Sequence, residues 1–93
     1  MRKRRFASVW DAIEETPAEA ANMKARAELM IAVAEFIRAR RLTQGAAAKL
    51  FGVSQPRVSD LMRGKIELFS VDTLVNMLAA AGVRVELRLK KAA

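Results

Sequence analysis

Residues 54–65 gather the side chains of this sequence that best suit specific, non-covalent recognition. Val58 and Leu61 lie three residues apart and would form one inward stripe if the segment is helical. A helix that is anchored on one face and shows short polar and basic groups on the other can lie in a DNA major groove. On a helical wheel, the side chains that point away from the stripe are Pro56, Ser59, Asp60 and Arg63, with Gln55 and Arg57 on its flanks.

The amino-acid composition gives little reason to expect an enzyme. The sequence contains no histidine and no cysteine, so the commonest general base and the thiolate nucleophile are absent. Glu14 with Glu15, or Ser59 with Asp60, could be imagined as reactive pairs, but no glycine-rich phosphate loop or metal-spaced cluster accompanies them. We therefore expect no enzyme, no cofactor and no metal site.

Two short helices joined by a tight turn are predicted over residues 44–63. Thr43 is a good N-cap for the first helix, and Gly52 suits a left-handed residue at its end. Ser54 can cap the second helix. Pro56 then falls in the first turn, where its missing N–H costs nothing.

The spacing of these residues resembles the XRE-type helix-turn-helix family, that of Cro and the phage repressors, over roughly residues 29–82. Gly45 departs from the pattern, because the family usually has an acidic or other helix-forming residue there, so the first helix is expected to be weakened at its start. The matching positions are Leu42, Thr43, Gln44, Ala48, Gly52, Val53, Val58, Leu61, Arg63, Gly64, Lys65, Ser70, Val71, Asp72, Thr73, Leu74, Leu78 and Gly82.

The resemblance implies a mainly all-α, five-helix, lambda-repressor-like domain that binds double-stranded operator DNA. It implies that Gln44 holds a phosphate and braces the recognition helix, and that Arg63 and Lys65 lie near phosphates. It also implies that Gln55, Pro56 and Asp60 lie where base-edge contacts occur. The helix itself adds Ser54, Arg57 and Ser59, so the predicted DNA-binding residues are Gln44, Ser54, Gln55, Pro56, Arg57, Ser59, Asp60, Arg63 and Lys65.

The side chains at three of these positions either restrict the possible contact with DNA or allow two different contacts. Pro56 cannot donate a hydrogen bond from its side chain and could touch only a thymine methyl group. Arg57 could contact a base or a phosphate. Asp60 could accept a hydrogen bond from cytosine N4, or could pair with Arg57 or Arg63 within the protein.

The positive charge is concentrated on the helix-turn-helix segment. The chain of 93 residues has a net charge of +7, and residues 38–65 contain seven basic side chains and one acidic side chain. A basic balance alone indicates only an anionic partner, but its position here favours a phosphate backbone.

The rest of the chain divides into an arm, a domain and a tail. Residues 1–16 should form a basic arm and a short helix over residues 9–15, and residues 17–82 the DNA-binding domain. Thr16 and Glu19 predict a capping box at the start of its long first helix, which should run to about Ala39 with Met23 on its apolar stripe. Ser70 should cap the last helix, with Leu68 and Phe69 turned inward before it. The arm could be a solvated tail or could add phosphate contacts. The apolar side chains of residues 6–13 could pack on the long helix or on another protein.

Residues 83–93 form a C-terminal strand and a basic tail in this division. Apolar and charged side chains alternate over residues 83–89, which predicts a half-buried strand. No other strand is predicted in the chain, so pairing with the same strand of a second subunit would complete it and make a homodimer.

The whole chain is also similar to the small HigA-like antitoxins, which neutralise a RelE-like toxin and repress their shared operon. The similarity includes Phe6, Ser8, Val9, Trp10 and Asp11 ahead of the long helix. It implies an autoregulating repressor with a toxin partner, and the alternative is a stand-alone repressor of a phage or mobile element. No apolar run approaches the roughly 20 residues of a membrane span, so we expect a cytoplasmic protein without a membrane partner.

Overall fold

Four α-helices follow one another in the computed structural model, which describes residues 16–91. They are α1 (Pro17–Ala39), α2 (Gln44–Phe51), α3 (Gln55–Met62) and α4 (Val71–Ala80), with a short 3₁₀ turn (Ile66–Leu68) between α3 and α4. The predicted fifth helix over residues 9–15 and the basic arm before it lie outside the described residues. Among the helices of residues 16–91, none has both the length and the apolar character needed to cross a membrane.

The start of α1 is fixed by a reciprocal pair of hydrogen bonds. The Glu19 backbone N–H donates to Thr16 Oγ1 at 3.1 Å, and the Thr16 backbone N–H donates to Glu19 Oε1 at 2.9 Å. This confirms the capping box predicted ahead of the long helix. The bonds from the Thr16 backbone and side chain lower the pKa of the Glu19 carboxyl group. Their contribution to stability is therefore present at neutral pH and is lost as the pH falls through that lowered pKa.

The other three helices begin at hydroxyl side chains, as the sequence predicts. Thr43 accepts from the Ala46 N–H, Ser54 from the Arg57 N–H and Ser70 from the Thr73 N–H, at 3.0, 3.3 and 3.0 Å. Each bond satisfies one of the backbone donors that a helix start leaves unpaired. At the other end of α2, Gly52 adopts the predicted left-handed conformation with φ at 71°.

The hydrophobic core lies where α1 and α4 pack on the pair formed by α2 and α3. Two residues predicted to point inward do not belong to it: Met23 is 39% exposed and Leu68 is 45% exposed. Met23 lies on the first turns of α1, ahead of the buried residues of this helix, which begin at Met30, and Leu68 ends the 3₁₀ turn. The buried core residues are Met30, Val33, Ala34, Ile37, Ala47, Ala48, Phe51, Val58, Leu61, Phe69, Leu74, Met77 and Leu78.

The strand predicted over residues 83–89 is not formed in this chain. Residues 83–91 have no regular secondary structure, because a strand needs a backbone partner and the described part of the chain supplies none. The predicted alternation survives only in its first half: Val83 and Val85 pack against the core, whereas Leu87 and Leu89 are 84% and 90% exposed.

Gly45 lies in the first turn of α2, where replacement by alanine is expected to stabilise the domain. A Cβ atom added there would meet Gln55 Oε1 at 3.7 Å, which is an ordinary contact. Because alanine favours a helix over glycine, Gly45→Ala should raise the free energy of unfolding by about 0.5–1 kcal/mol, measured by urea denaturation. Gly52→Ala is the matched control, and it should destabilise the domain because the φ of Gly52 is positive. Destabilisation by Gly45→Ala would show that this reading of the α2 start is wrong.

Candidate nucleic-acid interface

Helix α3 is held in the fold by one face and leaves the other face open. Val58 and Leu61 are buried in the core, as their spacing predicts. Ala47 and Ala48 of α2 are also buried, and their small side chains let α2 and α3 cross closely. The turn between the helices is closed by the Val53 N–H, which donates to the Ala48 carbonyl oxygen at 3.0 Å. Packing against α2 therefore fixes α3 in the fold with its polar face outward.

The predicted DNA-binding residues fall into an exposed set and a half-buried set. The half-buried set consists of Arg57, Ser59 and Asp60, each of which is partly covered by the rest of the protein. The exposed set consists of Gln44, Ser54, Gln55, Pro56, Arg63 and Lys65.

The first turns of α2 and α3 lie side by side. Gln55 starts α3, and its Oε1 lies 3.7 Å from the position that a Cβ atom of Gly45 would occupy. Gln44, the neighbour of Gly45, starts α2. The Gln55 amide therefore lies beside the helix start that Gln44 begins. Helix starts also present free backbone N–H groups, which suit phosphate oxygens.

The Arg57 side chain is hydrogen-bonded to the segment that follows α3. Its Nη1 donates to the Leu68 carbonyl oxygen at 3.2 Å, and its guanidinium carbon lies 5.5 Å from the centre of the buried Phe69 ring. A guanidinium group has five N–H donors, so the bond to Leu68 leaves others for a base or a phosphate. The structure thus gives Arg57 a packing role beside the DNA-binding role that the sequence predicts.

Asp60 lies between two basic side chains near the end of α3. Its Oδ1 is 3.6 Å from Arg63 Nη2 and 3.8 Å from Lys65 Nζ. Arg63 was one of the two partners that the sequence allowed for an internal ion pair; Arg57, the other, points to Leu68 instead. Lys65 was not foreseen as a partner because it lies beyond the helix, where the spacing rules for helical pairs do not apply.

Arg26 is a further residue at this site whose role the sequence did not reveal. Its Nη1 donates to the Ile66 carbonyl oxygen at 3.2 Å, and its Nε donates to Asn22 Oδ1 at 2.7 Å. Arg26 of α1 and Arg57 of α3 therefore hold the 3₁₀ turn at its two ends. Arg26 and Ile66 are forty residues apart, and no local pattern indicates a contact of that kind.

Comparisons with known proteins agree with this geometry. The sequence model of a family described as "Helix-turn-helix domain" matches residues 12–90. A solved structure described as "Putative XRE Family Transcriptional Regulator" is similar to the chain with a TM-score of 0.71 and 37% sequence identity. The similarity covers 78% of this chain and 82% of that one. No curated protein matches the chain.

Proposed function

Because this chain belongs to the XRE-type helix-turn-helix family of DNA-binding transcriptional regulators, we propose that it is a sequence-specific repressor that reads its operator with the outward face of α3. The observation that carries the proposal is the division of α3 into a buried apolar face and an open polar face. A gel-shift experiment with the DNA upstream of its own gene tests it, with a random duplex of the same length as competitor. Equal affinity for the two duplexes would contradict sequence-specific binding.

The polar residues take different roles in this proposal. Gln55, at the exposed start of α3, reads a base edge, with Ser59 as a second reader and Pro56 against a thymine methyl group. Gln44 and Ser54 lie at the starts of α2 and α3 and position the protein on phosphates. Arg63 and Lys65, exposed beyond the end of α3, contact phosphates on the other side of the groove.

Arg57 and Lys65 should respond differently to replacement by alanine. Arg57→Ala should weaken operator binding by about 1–3 kcal/mol if the guanidinium is bidentate to a guanine. Lys65→Ala should weaken binding to operator and random DNA alike, and should reduce the slope of log affinity against log salt by about one. Fluorescence anisotropy titrations at several salt concentrations measure both effects.

A thermal melt of each variant separates the two roles of Arg57. Loss of the bond to Leu68 and of the contact with Phe69 should lower the melting temperature of Arg57→Ala, whereas Lys65→Ala should melt like the wild type. If both variants bind operator as tightly as the wild type at physiological salt, the proposed roles are wrong.

We also propose that the repressor acts as a homodimer joined through residues 83–89. Recognition helices in such dimers lie roughly 34 Å apart, so that they enter successive major grooves. Leu87 and Leu89 support the proposal, since they are almost fully exposed apolar side chains beside an open apolar groove. That groove has a volume of about 320 Å³ and lies between α1, α4 and the C-terminal segment. Pairing of two C-terminal segments would cover these side chains and supply the missing backbone partners.

The resemblance to HigA-like antitoxins leads us to propose a toxin as the second partner. Met23 and Ile31 support it, because they leave exposed apolar surface on α1. The alternative is a repressor that acts without a toxin. Expressing the neighbouring gene with and without this chain distinguishes the antitoxin from the stand-alone repressor. If the neighbouring gene stops growth and co-expression of this chain restores it, the antitoxin is supported. If the gene is not toxic, or if co-expression does not restore growth, the stand-alone repressor is supported. Adding the neighbour's product to the gel shift shows whether it joins the DNA complex.

A further inference from the structure

Asp60 is the single acidic side chain in the strongly basic segment of residues 38–65. Both of its cationic partners, Arg63 and Lys65, approach the same oxygen, Oδ1, at 3.6 and 3.8 Å. The Asp60 side chain is 22% exposed, whereas that of Arg63 is 62% exposed. The carboxylate therefore lies beneath two cations that face solvent, at the end of the helix proposed to read DNA.

We propose that Asp60 determines specificity by restraining Arg63 and Lys65, which limits the binding of DNA of any sequence. This inference rests on the proposed DNA-binding function. Non-specific binding is supplied almost entirely by basic side chains that neutralise phosphates and release counterions. A carboxylate that pairs with two of these side chains competes with the phosphates for them, so each such contact gains less free energy.

The restraint acts differently on the two kinds of complex. A complex with random DNA has no fixed register and gains from any cation that is free to move toward a phosphate. A complex with the operator has a fixed register, so Arg63 and Lys65 are useful there only in particular orientations, which their pairing with Asp60 helps to set. Loss of the carboxylate should therefore strengthen random binding more than operator binding.

Asp60→Asn tests the inference, because the amide keeps the size of the side chain and removes its charge. We expect the affinity for a random duplex to rise about fivefold at roughly 0.1 M salt, with a steeper salt dependence, as two weak surface ion pairs are released. The ratio of operator affinity to random affinity should fall. Asp72→Asn is the matched control: it makes the same replacement at an exposed residue in the first turn of α4, for which no DNA contact is proposed, and it should leave the ratio unchanged.

A second background shows whether the effect passes through the two cations. In a variant that already carries Arg63→Gln and Lys65→Gln, Asp60→Asn should raise random binding much less than it does in the wild type, because only the direct repulsion between the carboxylate and the phosphates is then removed. Random affinity that is unchanged or lower in Asp60→Asn, or a rise that is equal for operator and random DNA, overturns the inference. Weaker operator binding with unchanged random binding also overturns it and assigns Asp60 to a cytosine instead. A wild-type protein that binds no duplex at all contradicts the proposed function itself, and is thus distinguished from these results.

Discussion

Leu87→Asp is expected to leave the domain folded and to weaken operator binding by roughly 10²–10⁴-fold, the usual gain from joining two binding units. Leu87 is 84% exposed in the single chain, so the replacement removes no core contact. In the proposed dimer, the aspartate would place a charge on the apolar side of each paired segment, where burial without a partner is costly. The variant should therefore be a monomer that binds only one half-site.

Analytical ultracentrifugation and footprinting measure the two parts of this expectation. Arg88→Ala is the matched control, since it lowers the net charge by the same one unit at an exposed neighbour on the polar side of the segment. It should remain dimeric and lose little affinity. A wild-type protein that sediments as a monomer at tens of micromolar and protects a single half-site would rule out the proposed dimer.

Phe69→Ala should lower the free energy of unfolding by about 3–5 kcal/mol, the usual cost of removing a buried aromatic ring. Phe69 is 1% exposed, belongs to the hydrophobic core and lies directly after the 3₁₀ turn, in the segment between α3 and α4. Its ring also faces the Arg57 guanidinium, so its loss frees the side chain that the proposal places on DNA. For a domain of this size, the melting temperature should fall by roughly 4–8 °C for each kcal/mol lost.

The neighbouring residue gives the control for this prediction. Leu68 is 45% exposed, and Leu68→Ala should cost less than about 1 kcal/mol, as surface replacements usually do. Differential scanning calorimetry on both variants measures the difference. Similar melting temperatures for the two would contradict the burial of Phe69 as the anchor of this turn.

The sequence predicted most of the features that depend on neighbouring residues. Helix starts at Thr16, Thr43, Ser54 and Ser70 were predictable because a capping hydroxyl acts within three residues of its own position. The buried pair Val58 and Leu61 was equally predictable, since helical spacing alone brings the two side chains to one face.

Features that depend on distant parts of the chain were not predictable in the same way. The sequence could not show which of the adjacent residues Leu68 and Phe69 turns inward, because the packing of α1 and α4 decides it. Arg57 was predicted to contact a base or a phosphate, but its bond to the Leu68 carbonyl oxygen was not predictable, because it depends on the path of the backbone after α3. The prediction of a strand over residues 83–89 was wrong, because alternating side chains form a strand only where a second backbone segment is present to pair with.

Binding of operator DNA by the open face of α3 is tested most directly by an NMR titration. A ¹⁵N-labelled protein is titrated with a duplex from the DNA upstream of its own gene, and each backbone amide is followed. The proposed binding mode predicts that the largest shift changes fall on residues 43–46 and 54–65, which include the starts of α2 and α3 and the cations after α3. Binding that leaves these amides unchanged and instead shifts those of α1 or α4 would contradict it.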